Sequence, residues 1–221
     1  MGEGECCFAK LSGQTADLSV GPLQESVKRS LDFFFSALSL VLLSPLFLVA
    51  GLAIKLDSKG PILHRSERVG RYGKPFKMWK FRTMYLNSEK LGVTTGLNDP
   101  RVTGVGKFLR RYKIDELPQL VNVLTGEMSL VGPRPEFLEH TSEYTGEEEL
   151  ILTVRPGITD YASVRFRNQD ELIGSEDPHR IFIEKIRPEK NRLRVDYVKR
   201  QSLAEDFKIL FQTILCVIGR R

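Results

Sequence analysis

Residues Phe33 to Ile54 read FFFSALSLVLLSPLFLVAGLAI, without one charged side chain. As a helix this run is ~33 Å long, enough to match the ~30 Å hydrocarbon core of a bilayer. It starts too late and runs too long for the apolar part of a cleavable signal peptide, and no small-x-small exit precedes Lys55. Ser44-Pro45 lies near its middle. Proline has no N–H to donate, so the carbonyl of Val41 loses its usual partner and a kink is expected. Working outward, Lys28 and Arg29 precede the run, and Lys55, Lys59, Arg65, Arg68 and Arg71 follow it. Positive charge beside a membrane helix favours the cytoplasmic side, and here both ends ask for it. A helix that enters, breaks at Ser44-Pro45 and leaves by the same face satisfies both ends. Hydropathy alone favours a kinked span with the rest of the chain cytoplasmic.

Taken whole, the 221-residue chain has the composition of a folded domain, 41% hydrophobic and 28% charged, which suits one catalytic-sized unit. Cys6, Cys7 and Cys216 have no C-x-x-C spacing, and His64, His140 and His179 are scattered. This argues against a disulfide framework and against a thiolate or imidazole metal site. The net charge of +5 is unevenly spread. Lys55 to Lys113 holds fifteen Lys or Arg against Asp57, Glu67, Glu89 and Asp99, while Asp115 to Leu150 holds nine acids and only Arg134. The basic block suits a phosphorylated substrate, an anionic lipid surface or simply a solvated face. A nucleic-acid partner is not expected, because the block follows a membrane helix and carries no recognised reading motif.

Residues 1 to about 26 read as a loosely ordered extension. Ile62–Arg68 and Phe76–Met84, separated by Gly70 and Gly73-Lys74-Pro75, suggest a small hairpin, and Asn98-Asp99-Pro100 a turn. Val105, Phe108, Leu109 and Tyr112 have helical spacing among Lys107, Arg110, Arg111 and Lys113, a pattern suited to a helix lying at headgroup level. Leu117, Leu120, Val121 and Leu124 follow the i, i+3, i+4, i+7 rule up to Gly126, and Leu203 to Ile218 forms a last amphipathic helix. The fold class is therefore α+β, mainly helical.

Two constellations can carry chemistry. Asp115-Glu116, with Pro118 close behind, reads as an ordinary helix start, Asp capping and Glu in the first turn. Following Lys107, Arg110, Arg111 and Lys113, the same pair can hold a hard divalent ion shared with a diphosphate, or supply a carboxylate nucleophile kept ionised by its cations. In Gly132-Pro133-Arg134-Pro135-Glu136 two prolines stiffen the backbone around Arg134, so its guanidinium is presented at small entropic cost to a phosphate or base edge. A rigid turn in which Arg134 pairs with Glu136 or Glu139 fits equally.

Taken in order, Lys28-Arg29 with Asp32, Ser44-Pro45, Ser58-Lys59-Gly60-Pro61, Arg68-Val69-Gly70, Phe76 to Met84 (FKMWKFRTM), Lys113 to Leu120 (KIDELPQL), Met128 to Pro135 (MSLVGPRP) and Arg155-Pro156-Gly157-Ile158-Thr159 resemble the bacterial sugar transferases, or monotopic phosphoglycosyl transferases. The resemblance runs from about Val27 to the C-terminus. It implies a re-entrant helix over 27–56, in place of the span that hydropathy favours, and a cytoplasmic catalytic domain over 57–221. It further implies that a sugar-1-phosphate passes from a nucleotide-sugar, with UDP the expected nucleotide, to polyprenyl phosphate at a bacterial inner membrane, starting glycoconjugate or polysaccharide assembly. Asp115 would be the nucleophile and Glu116 would hold Mg²⁺ with Asp115. Arg110, Pro133, Arg134, Pro135, Lys59 and Arg82 would serve the substrate. Membrane lipids are implied partners, a homo-oligomer is left open, and the absence of a large extra membrane domain suggests the minimal catalytic form. Many relatives read Gly-Trp after Arg-Pro-Gly-Ile-Thr; this chain has Asp160-Tyr161. A non-catalytic membrane scaffold would need only the apolar helix and the basic surface.

Overall fold

The computed structural model describes residues 21–86, 88, 99–169, 172 and 178–219. Most of the proposed N-terminal extension, with Cys6 and Cys7, and Asn98 of the expected turn lie outside them. The apolar run forms two helices, α1 (Pro22–Leu42) and α2 (Ser44–Asp57), bent by 60° at the break. No single helix among the described residues is long and apolar enough to cross a membrane; the bent pair meets that test together. At the break the Val41 carbonyl that Pro45 cannot serve accepts a hydrogen bond from Ser44 Oγ at 2.8 Å, so the kink leaves no orphan acceptor there. Phe33, Phe34, Leu38, Val41 and Leu42 of α1 and Leu48, Val49, Leu52 and Leu56 of α2 are exposed.

Lys28 and Arg29 do more than flank the helix. Arg29 donates to the carbonyls of Val123 and Leu124 at 2.6 and 2.8 Å. Lys28 Nζ meets the Val131 carbonyl at 3.1 Å and Asp206 at 2.5 Å, and the buried Asp32 accepts from the Leu130 N–H at 3.0 Å. These polar groups dock α1 onto the domain.

The expected hairpin is present as β1 (Leu63–Val69) and β2 (Pro75–Phe81), paired antiparallel from Leu63 opposite Phe81 to Val69 opposite Pro75. Met84 lies beyond β2 and forms an isolated bridge with Val102. Ala50 and Ile54 of α2 pack with Phe81 and with Leu109 of α3 (Gly104–Arg111), which Thr103 caps by accepting from the Gly106 N–H at 3.0 Å. On α3 the expected apolar row divides. Leu109 turns inward, whereas Phe108, 56% exposed, and Tyr112 pack together outside at a tilt, with ring centres 4.7 Å apart.

Next, α4 (Gln119–Thr125) stops at Gly126, whose φ of 90° is the left-handed conformation that favours glycine. Its most buried residues include Gln119, Asn122 and Val123 beside Leu120, a more polar face than the apolar spacing indicates. Asn122 explains part of this: its carboxamide accepts from the Trp79 N–H at 3.0 Å and donates to the Lys77 carbonyl at 2.9 Å, standing in for a third strand at the free edge of β2.

A second small sheet is not apparent in the sequence pattern. In it β3 (Ser129–Val131) and β4 (Gly157–Thr159) pair in parallel, flanking α5 (Leu138–Thr141) and the 3₁₀ segment Gly146–Thr153. Gly157 N–H donates to the Pro133 carbonyl at 3.0 Å, and a Cβ at Gly157 would run into the backbone of Gly132, so these glycines permit the close approach of the two loops. The chain finishes with α6 (Tyr161–Arg165), α7 (Pro178–Ile181), a π turn (Phe182–Ile186), α8 (Arg187–Arg200) and α9 (Leu203–Ile218). Ile209 of α9 is fully buried against Val131, Tyr197 and Val198, while Phe207, Phe211, Ile214 and Leu215 stay exposed.

Candidate active site

The site grows from a tight turn between α3 and α4. Lys113, at φ 58° and ψ 20°, reverses the chain, and Ile114-Asp115-Glu116 then form one 3₁₀ turn. Asp115 therefore does not cap α4. Pro118 occupies that position without a side-chain hydrogen bond, so the helix-start reading fails on geometry. Asp115 is only 8% exposed and its Oδ1 is buried with no hydrogen-bond partner. Burial, with Glu116 alongside, pushes its carboxyl up to about 6 against the pull of Lys80, Lys113 and Arg110.

Glu116 has the opposite fate. Arg134 grips it with both Nη1, at 3.0 Å, and Nη2, and Lys80 Nζ lies 3.3 Å away. Burial would raise this carboxyl, but Arg134 and then Lys80 hold it well below the usual carboxylate range. Two adjacent carboxyls are thus driven apart, one kept charged by a fork of cations and one made basic by burial, an arrangement typical of paired roles in catalysis.

Arg134 pairs with Glu116, not with Glu136 or Glu139, and this contact joins the two constellations. Pro133 and Pro135 are buried on either side of it. Behind the loop, the Arg134 N–H donates to Asp160 Oδ2 at 3.1 Å, and Asp160, 1% exposed, also accepts from the Ser163 N–H at 2.6 Å to cap α6. Arg194, equally buried, lies 3.5 Å from Asp160 and donates to Glu136 at 2.7 Å and Asn191 at 3.1 Å. Burial would raise the Glu136 carboxyl; Arg194, helped by His140, instead holds it far below its ordinary value.

The other expected substrate residues fall further out. Arg110 is half-buried at the end of α3 and acts on Asp115 through its charge. Arg82 is buried and clamps the end of α2, donating to the carbonyls of Lys59 and Ser58 at 2.9 and 2.7 Å. Lys59 presents that carbonyl and leaves its side chain exposed. Lys80 was not singled out in the sequence, although it extends the alternating row of buried Phe76 and Met78, where a cation signals a polar destination. Asp160, Arg194 and Gln119, whose amide O and N are buried without partners, had no local signal.

Asp115 and Glu116 offer hard oxygen donors and the orphaned Oδ1 suits a small cation. Among the described residues no group of three or more His, Cys, Asp or Glu gathers, so the remaining ligands of such an ion would come from water or a diphosphate.

Comparison with known proteins gives one consistent result. The profile of the family described as "Bacterial sugar transferase" matches residues 23–220. A UDP-glucose:undecaprenyl-phosphate glucose-1-phosphate transferase of Escherichia coli (strain K12) is 38% identical over 203 residues, covering 90% of this chain and 41% of that protein. A UDP-N-acetylgalactosamine-undecaprenyl-phosphate N-acetylgalactosaminephosphotransferase of Aeromonas hydrophila is 37% identical over 93% of this chain and 47% of its own length. The chain thus spans less than half of either. An exopolysaccharide production protein PSS of Rhizobium leguminosarum bv. phaseoli is 38% identical over 88% of the chain and 96% of its own length.

Proposed function

The chain belongs to the bacterial sugar transferase family, and from that premise we propose that it transfers a sugar-1-phosphate from a UDP-sugar to undecaprenyl phosphate, the first membrane step of a glycoconjugate or polysaccharide. The observation that carries this reading is the buried, unpartnered Oδ1 of Asp115 beside a Glu116 held by Arg134 and Lys80. In the first step an Asp115 oxygen attacks the phosphorus that bears the sugar; the bond to the bridging oxygen breaks, UMP leaves, and the phosphosugar remains on Asp115. In the second, a phosphate oxygen of undecaprenyl phosphate attacks that phosphorus and returns the carboxylate.

Arg134, on its proline-stiffened loop, orients the donor and keeps Glu116 ionised, while Lys80 and Arg110 offset charge at the reacting phosphate. Glu116 and Asp115 would hold Mg²⁺, which when bound neutralises the diphosphate. The bent α1–α2 pair, with exposed apolar side chains on both arms, supports a re-entrant helix in the inner membrane with the site at its cytoplasmic face. Exposed Phe108, Phe207 and Phe211 would sit among the headgroups.

The test is to incubate the protein with Mg²⁺ and radiolabelled UDP-sugars without acceptor. Label should bind covalently and be discharged by undecaprenyl phosphate. The donor that labels also names the sugar, and no labelling by any donor would remove the covalent step.

A further inference from the structure

Arg68 has no role in the reaction as drawn above. It sits on β1 opposite Phe76, and alternation puts Ser66 and Arg68 on the same face of the hairpin as Phe76, Met78 and Lys80. The end of that strand is fastened to the arginine loop, because the Val69 N–H donates to the Glu136 carbonyl at 3.0 Å. The guanidinium sits over Phe137, its central carbon 3.2 Å from the ring centre. Its Nε and Nη1 are buried and have no hydrogen-bond partner, and Ser66 Oγ is in the same condition.

Neighbouring carboxylates do not meet this demand. Glu116 is bound to Arg134 and Lys80, and Glu136 to Arg194 and His140. Burial and the charge of Arg134 together pull the Arg68 pKa down to about 10, with Glu136 only partly opposing them. A buried charged donor without an acceptor is costly, and a guanidinium stacked on a ring offers its edge as a fork for an oxyanion.

We propose that Arg68, with Ser66 beside it, forms a subsite for a phosphoryl group on the hairpin side of Arg134. The phosphate comes either from the diphosphate of the donor or from the headgroup of the polyprenyl acceptor; the assignment rests on the transferase reading for its ligand class.

Equilibrium binding to the full chain in detergent micelles tests it without turnover, using UDP, uridine and a short-chain polyprenyl phosphate as probes. Arg68→Gln should weaken UDP or the polyprenyl phosphate about tenfold or more, and leave uridine unchanged. A loss confined to UDP assigns the donor diphosphate; a loss confined to the lipid phosphate assigns the acceptor. Ser66→Ala, a milder change that serves if Arg68→Gln does not fold, should weaken the same probe about threefold. Arg65→Gln, on the opposite face and stacked on Trp79, should change nothing. Unaltered affinities in both test variants, or an equal loss of uridine, would overturn the subsite. A wild type that binds these probes yet never releases UMP would sink the transferase reading and leave the subsite standing.

Discussion

Two buried clusters of mixed charge meet the segment from Ser129 to Pro135, and they differ in completeness. In the first, Lys28 of α1 holds Asp206 of α9 and the Val131 carbonyl, Tyr197 donates to Asp206 at 2.7 Å, and Asp32 takes the Leu130 N–H. None of these four side chains has a buried polar atom left over. In the second, around Glu116 and Arg134, Asp115 Oδ1, two nitrogens of Arg68 and the Gln119 amide remain unmatched. Similar residue types therefore do different work. The closed cluster fastens a helix to a domain, and the open one leaves buried donors and an acceptor unmatched within the protein, as the proposed phosphoryl chemistry requires.

The contrast breaks most sharply at Asp115. Asp115→Asn should lower transfer by about a thousandfold or more, because the nucleophile is lost. It should not lower the melting temperature, since no hydrogen bond of Oδ1 is removed. A folded variant with near wild-type turnover would erase the distinction between the clusters.

In the closed cluster the effect should move from rate to stability. Lys28→Ala leaves Asp206 without its cation, and such truncations of buried pairs cost ~3 kcal/mol. Denaturant unfolding in micelles should show that loss while the folded fraction keeps its kcat. Unchanged stability would mean that the α1 docking contacts contribute little.

A smaller, pH-dependent effect tests the support behind Arg134. Glu136 is held below its unfolded value of ~4.3, so its contribution is complete above that pH and is lost as pH falls through the folded value. The melting advantage of wild type over Glu136→Gln should be level from pH 7 to about 5 and shrink below about 4. An advantage independent of pH would assign it to packing.

The smallest change is expected at Ser44→Ala, which frees the Val41 carbonyl for about 1 kcal/mol or less. Melting should fall slightly with kcat unchanged, and a large loss of activity would place the break closer to the chemistry than the fold suggests.

What the sequence made legible was local. The apolar run, its break at Ser44-Pro45, the hairpin and α9 each follow from spacing or from proline chemistry within a few residues. The pairing of Arg134 with Glu116 is separated by 18 residues and depends on the Lys113 reversal, which no propensity marks. Strands of three residues, as in β3 and β4, are too short to show a period. Asn122 and Gln119 escaped because helical patterning counts apolar positions, whereas these amides are buried, Asn122 by a strand edge. Lys28 and Arg29 looked like charges beside a membrane because nothing near them reveals the carbonyls they bind.

The tie between Lys28 and Asp206 also sets an order of events during synthesis. At ~5–20 residues per second, the 178 positions between them take roughly 10 to 35 s to translate. For that interval Lys28 has no Asp206 to meet, although its other partner, the Val131 carbonyl, is made sooner. A chain interrupted before α9 keeps the Arg29 and Asp32 contacts of α1 and leaves Lys28 without its carboxylate partner. The last helix thus supplies the closing contact of a docking site that the middle of the chain has already begun.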